Sequence, residues 1–303
     1  KGITVRGFSR GTGSPVVVVH GGPGFPPETS WAGLDTFAET HRFWYPHQRG
    51  SGWSDRPVDR FAGNDFGANL AILDRKLGLA QQVADLERLR RALGVERLDL
   101  VGHSFGGLIA CLYAIEFPEH AGRLLLIAPA AMVRFPAASG GLYEEIRRWL
   151  PSEHLGAYEA WLKDFFDYGK LFQRNESGLA ALNAAMLPFY REAFANRAAR
   201  TGQGASVQTD GVRLAANAGG WMMPAIFFGL GQRHDWSGAF AGIKAPVSLV
   251  YGSSDLSPSN EFDQYRVIPG IRMEAVAGAD HFLAENARRF AASPAVREYF
   301  AAR

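Results

Sequence analysis

Apolar and polar positions change period along the chain, and each change marks an element. GITVRGFSRG (2–11) alternates as a half-exposed strand does, whereas PVVVVHGG (15–22) opens on a continuous apolar run suited to a strand covered on both faces. RFWYPHQRGSGWSD (42–55) reads as an aromatic strand closed by a Gly/Ser turn. The helical period from Leu79 to Leu93 predicts an amphipathic helix that stops at Gly94. ERLDLVGHS, FGGLIACLYAIEFPEH and RLLLIAPAA then read as strand, helix and strand. This β-α-β-α-β succession predicts parallel strands joined by right-handed crossovers.

From about Leu142 to Phe240 the strand signal stops. LYEEIRRWL, YEAWLKDFFDYG, SGLAALNAAMLPFYREAFANRAA and WMMPAIFFGLG all read as helices, and the stretch holds 16 of the chain's aromatic residues. Two uses compete for those rings: packing the helices, or lining a substrate cavity. The β/α rhythm resumes with APVSLVYGSSD, a short helix, RMEAVAGADHF and a C-terminal helix. The expected fold class is α/β, a mostly parallel central sheet flanked by helices. Its core is expected over 1–133 and 242–303, with an inserted helical cap over 134–241.

Charge and cysteine content narrow the function classes. Lysine and arginine number 32 against 30 acidic residues, a net charge of +2, which gives no general reason to bind nucleic acid or an anionic membrane. A small-molecule partner is expected; the oligomeric state is left open. The single cysteine, Cys111, excludes an intrachain disulfide and a multi-cysteine metal site, and its apolar surroundings predict a buried thiol. No apolar run approaches the roughly 18–20 residues of a membrane span, and the N-terminus lacks a signal-peptide pattern. A cytoplasmic protein is the expectation, with processing before Lys1 left open. No nucleotide fingerprint or helical histidine pair calls for a cofactor or metal.

The candidate chemistry starts at Gly102-His103-Ser104-Phe105-Gly106, a G-x-S-x-G between a predicted strand and a predicted helix. In such a turn the serine takes a strained conformation, and the flanking glycines leave room for it above the sheet. A serine hydroxyl needs a base, and the base needs an orienting carboxylate. Asp255 ends the strand PVSLVYG, and His281 follows the last predicted strand. Asp280 is the rival carboxylate, but a neighbour of His281 in sequence is expected to point away. His20 and His103 lie beside backbone turns, where structural hydrogen bonds are expected of them. An oxyanion needs two preorganised amides, and these are expected from Phe105, next to the serine, and Gly22, in the bare loop His20-Gly21-Gly22-Pro23-Gly24. A phosphate-binding use of that loop would need a lysine and a helix directly after it, and FPPETSW offers neither.

HGGPG, QRGSGWSD, GHSFGG, YGSSD and GADH, in this order, resemble the proline iminopeptidase-like branch of the α/β-hydrolase superfamily. The resemblance implies the α/β-hydrolase fold, with Ser104 as nucleophile, His281 as base, Asp255 as its partner, and Gly22 and Phe105 as oxyanion donors. It further implies that Arg49 and Asp55 brace loops. Three departures bear on the substrate. His47 stands before QRG where an acidic residue is usual, Ile127-Ala128-Pro129 replace a common arginine, and RLAANAGGWMMP carries Asn217 but no glutamate for a substrate ammonium. Glu144, Glu145, Glu153, Glu159, Glu176 and Glu192 remain for that role. The expected activity is cleavage of a small amide or ester through an acyl-enzyme, as in aminopeptidases of this branch. A carboxylesterase or lactonase acting on an apolar acyl group is the alternative, and a non-hydrolytic lyase or binding protein a third.

Overall fold

The structure, a computed structural model, describes residues 2–136, 141–201, 217–231, 233–257 and 259–301. The strands among the described residues are β1 (Gly7–Arg10), β2 (Ser14–Val19), β3 (His41–Pro46), β4 (Leu98–His103), β5 (Ala121–Ile127), β6 (Arg134–Phe135), β7 (His234–Asp235), β8 (Val247–Gly252) and β9 (Arg272–Val276). Seven form one sheet in the order β1-β3-β2-β4-β5-β8-β9, while β6 and β7 make a separate two-stranded ribbon. Only the edge pair β1 and β3 is antiparallel; every other pairing in the large sheet is parallel.

The apolar run in β2 is explained by its two neighbours in depth. Val17 and Val19 pack into one core with Leu108 and Ile109 of helix Phe105–Glu116. Val16 and Val18 face the opposite core, with Leu34, Phe290 and Val296. Helices cover both faces, so no position from Val16 to Val19 is free to be polar.

Helix Leu79–Leu93 ends as expected at Gly94, which takes φ 68°. An unforeseen helix, Phe66–Leu77, precedes it. Asp65 caps it by accepting from the Ala68 amide, but its inward stripe runs Asn69, Leu73, Leu77. Asn69 interrupts the apolar period and is satisfied by donating to the Gly63 carbonyl. The first strand is also shorter than its alternation predicts. Thr4 and Arg6 instead bond the loop after β3: the Thr4 amide donates to the Asp55 carboxylate, the Arg6 amide to Ser54 Oγ, and the His47 amide to the Arg6 carbonyl. The C-terminal helix divides into Ala287–Ala292 and Pro294–Phe300, because Pro294 can begin a helix but cannot continue one.

Between β5 and β8 the chain builds helices Gly141–Trp149, Ser152–Phe165, Glu176–Ala184, Met186–Thr201 and Met222–Leu230. The single helix expected over 177–199 is divided at Ala185, with Pro188 in the first turn of the second piece, where its missing N–H has no intrahelical partner to lose. Ile146, Tyr158, Trp161, Leu187 and Phe194 form the helices' own core. Glu176 ties them to the sheet: its carboxylate receives Arg56 and the amides of Gly220 and Trp221, and Arg56 also donates to the Asn217 and Ala218 carbonyls. Residues 213–216 of the segment RLAANAGGWMMP lie outside the described residues. Among the described residues no helix is long and apolar enough to cross a membrane.

Candidate active site

Ser104 sits between β4 and helix Phe105–Glu116 with φ 54° and ψ −124°, a positive φ that a side chain rarely adopts. The turn is held by three backbone bonds. The Ser104 amide donates to the Ile127 carbonyl at 2.9 Å, and the Ser104 carbonyl accepts from Gly107 and Ala130, each at 2.9 Å. Side chains on the flanking glycines would break it: a Cβ on Gly102 would stand 2.6 Å from the Gly106 carbonyl oxygen, and one on Gly106 would overlap the Val19 carbonyl. The motif is thus a packing requirement of strand against helix.

His281 follows β9, and its Nδ1–H donates to Asp255 Oδ2 at 2.8 Å. Asp255 is 1% exposed, and its second oxygen accepts from the Ser257 amide at 3.0 Å. Burial pushes the His281 imidazole down, but the Asp255 charge, the hydrogen bond to it and the Asp280 charge together outweigh burial. The ring is held above the ordinary histidine value. Asp280 accepts from the Phe282 amide instead, and burial raises its carboxyl. Of the two rival carboxylates, Asp255 is the one hydrogen-bonded to the ring.

The other two motif histidines are buried and neutral. His20 Nδ1–H donates to the Gly21 carbonyl while Nε2 accepts from the Gln48 amide, and burial pushes its pKa down to about 3. His103 Nε2–H donates to the His281 carbonyl at 2.8 Å, and burial likewise holds it at about 3. His103 therefore braces the backbone of His281. Arg49 pairs with Asp85 and donates to the Lys76 carbonyl, and Asp55 pairs with Arg6, so both hold loops together.

Ser104, His281, Gly21, Gly22 and Phe105 line one cavity of about 930 Å³. Phe105 is the first residue of its helix, where an amide has no intrahelical acceptor. The bare loop abuts the serine so closely that a Cβ on Gly21 would lie 2.8 Å from Ser104 Cβ; Gly22 takes φ 120°, which favours glycine. Met186, Leu187, Tyr190, Met223 and Phe227 close the cavity from the helices above. Other rings of the segment, among them Tyr158, Trp161 and Phe165, stack on one another away from it. Among the described residues no three His, Cys, Asp or Glu side chains are grouped to hold a metal ion.

The glutamates singled out in the sequence do not line this cavity; Glu28, Glu261 and Glu285 do. Glu176 is committed to Arg56, and Asn217 uses its carbonyl for Gly52 and Arg56 while its side-chain amide reaches Glu28 at 3.5 Å. Glu261 and Glu285 carry a signal that was there to be read. They follow Asp255 and His281 closely in sequence, in the short helices Ser259–Phe262 and Leu283–Glu285.

The sequence profile of the alpha/beta hydrolase fold family matches residues 14–287. A 2-hydroxymuconate semialdehyde hydrolase from Pseudomonas putida is 31% identical over 187 residues, 61% of this chain and 59% of that protein. A proline iminopeptidase from Heyndrickxia coagulans is 33% identical over 119 residues, 39% of this chain and 36% of the relative. The matched stretch thus spans about three-fifths of the P. putida relative's length and less of the iminopeptidase. Among solved structures, an esterase from Exiguobacterium antarcticum shares the fold with a TM-score of 0.67 at 18% identity, covering 99% of this chain and 97% of that one. With a profile match across nearly the whole sheet and its crossovers, the chain belongs to the α/β-hydrolase fold family.

Proposed function

We propose that the protein is a serine hydrolase cleaving a small ester or amide through an acyl-enzyme, with the helical segment 134–241 as its cap. The observation that carries this reading is the buried Asp255–His281 hydrogen bond opening into the same cavity as Ser104 on its strained turn. His281 takes the Ser104 proton through Nε2, the nitrogen opposite its bond to Asp255, as the hydroxyl attacks the carbonyl carbon. Asp255 fixes the ring and stabilises the imidazolium. The amides of Gly22 and Phe105 receive the oxyanion, where one lost donor costs on the order of 3 kcal/mol. His281 then returns the proton to the leaving group, and a water activated by the same ring releases the acyl group. No cofactor enters these steps.

The lining narrows the substrate. A muconate semialdehyde, the compound in the P. putida relative's name, is a carboxylate, and no lysine or arginine lines this cavity among the described residues. We assign neutral or cationic substrates to it. An aminopeptidase of the iminopeptidase type is a second reading, favoured by the acidic lining. Prolyl and alanyl anilides turned over faster than nitrophenyl esters would support it; anilides left intact while esters are cleaved would make the protein an esterase.

The test of the nucleophile is labelling by a fluorophosphonate, followed by intact mass. The wild-type protein should gain one adduct at Ser104 and Ser104→Ala none. Equal labelling of both, or of neither, would overturn the assignment.

A further inference from the structure

The cavity's charge leans to one side: Glu28, Glu261 and Glu285 line it, while among the described residues no lysine or arginine does. Glu261 is only 7% exposed. Burial, Asp255 and Glu145 push its carboxyl up to about 7; burial and Asp280 push Glu285 up to about 7, with Arg191 opposing. A second observation points to a ligand. Tyr190 is 4% exposed and lines the cavity, its ring edge-on to His281 at 5.9 Å, yet among the described residues its hydroxyl has no hydrogen-bond partner. Its oxygen is open to the cavity, where a bound molecule can meet it. Trp31, Tyr143, Phe166, Phe227 and Phe282 complete the wall with aromatic rings, whose faces attract positive charge.

We propose that the cavity selects substrates whose leaving group carries a positive charge, an alkylammonium or quaternary ammonium held by Glu261, Glu285 and the aromatic wall. The side follows from the connections after β8 and β9. Glu261 and Glu285 come from the segments that carry Asp255 and His281, and the base must face the leaving group to return its proton. The inference rests on the hydrolase reading for its chemistry, and it names glutamates of the short helices after β8 and β9 rather than of the segment between β5 and β8.

Three thioesters of equal reach provide the test, with thiol release followed at pH 8, where both carboxylates are largely ionised. They are acetylthiocholine, its neutral isostere S-(3,3-dimethylbutyl) thioacetate, and anionic S-acetyl-3-mercaptopropionate. The wild type should prefer the cation over the isostere by on the order of tenfold in kcat/KM, and over the anion by on the order of a hundredfold. In the Glu261→Gln/Glu285→Gln protein the cation-to-isostere ratio should fall towards one, and each single variant should lower it in part. Equal turnover of cation and isostere by the wild type, or an undiminished ratio in the variants, would overturn the proposal. Failure of the hydrolase reading looks different: none of the three is cleaved and Ser104 takes no label. The cation site is then tested alone by calorimetric titration of Ser104→Ala with phenyltrimethylammonium. Binding that is lost on adding Glu261→Gln and Glu285→Gln sustains it; no binding refutes it.

Discussion

Gly21→Ala probes how closely the bare loop must approach the nucleophile. The new Cβ would stand 2.8 Å from Ser104 Cβ and 3.2 Å from the His103 carbonyl oxygen. Two carbons rest at about 3.5 Å or more, so one partner must retreat by about 0.7 Å. Ser104 is the stiffer of the two, since its turn is pinned by bonds to Ile127, Gly107 and Ala130. The loop therefore moves, and the amide of the adjoining Gly22 moves with it. A misplacement near 1 Å can cost about a hundredfold in rate, so a displacement of this size should lower kcat by roughly ten- to a hundredfold with little change in KM. Overpacking should cost about 1–3 kcal/mol of stability. Gly21 itself does not require a left-handed φ, so the alanine's effect is read as contact rather than backbone strain. Nitrophenyl butyrate kinetics beside thermal unfolding make the measurement. A variant with wild-type kcat and wild-type Tm would refute the reasoning, because it would mean the loop has slack where the structure has none.

Asp255→Asn should lower kcat by on the order of 10³–10⁴ while Asp280→Asn stays within about tenfold, since only Asp255 bonds the ring; equal losses in ester kinetics would reverse that assignment. His281 works as a base only when neutral and its pKa is raised, so the acid limb of kcat/KM should have its midpoint above 6.5 and move down in the residual activity of Asp255→Asn. A wild-type midpoint below 6.5 contradicts this. Glu261 has its folded pKa raised from 4.5 to about 7, so the folded state holds its proton more tightly and stability falls as pH rises through that window. Glu261→Gln should accordingly raise Tm at pH 8, by about 1–3 kcal/mol in stability, and leave it unchanged at pH 4; no gain at pH 8 would show that burying this charge costs nothing.

Much of the fold could be read because its causes are local. Val16–Val19 must be apolar when both faces are covered, and Gly94 takes a left-handed φ that favours glycine. What escaped reading depends on partners elsewhere. Asn69 breaks the stripe of helix Phe66–Leu77 and is paid for by a carbonyl in the preceding loop. The alternation of residues 2–6 continues as bonds to Ser54, Asp55 and His47 rather than as a strand. The candidate site divides in the same way. Gly102 and Gly106 are needed by contacts within a few residues or with the neighbouring strand, so the turn at Ser104 was legible, whereas the cavity above it was not.

The glutamates show why. In sequence, Glu176 and Glu261 are equivalent: each is an acidic residue in the first turn of a helix, where the dipole favours negative charge and solvation is the ordinary fate. Tertiary packing gives them opposite chemistry. Glu176 receives Arg56 and two amides and becomes a brace. Glu261 meets Asp255 and Glu145 as it is buried, and it faces the cavity with its ionised form disfavoured. Glu145 and the rings that close that cavity arrive on helices between β5 and β8, more than a hundred residues from Glu261 in Glu145's case. Hence a search for carboxylates within the helical segment between β5 and β8 alone finds the brace, while the charge facing the substrate cavity comes from the short helices that follow β8 and β9.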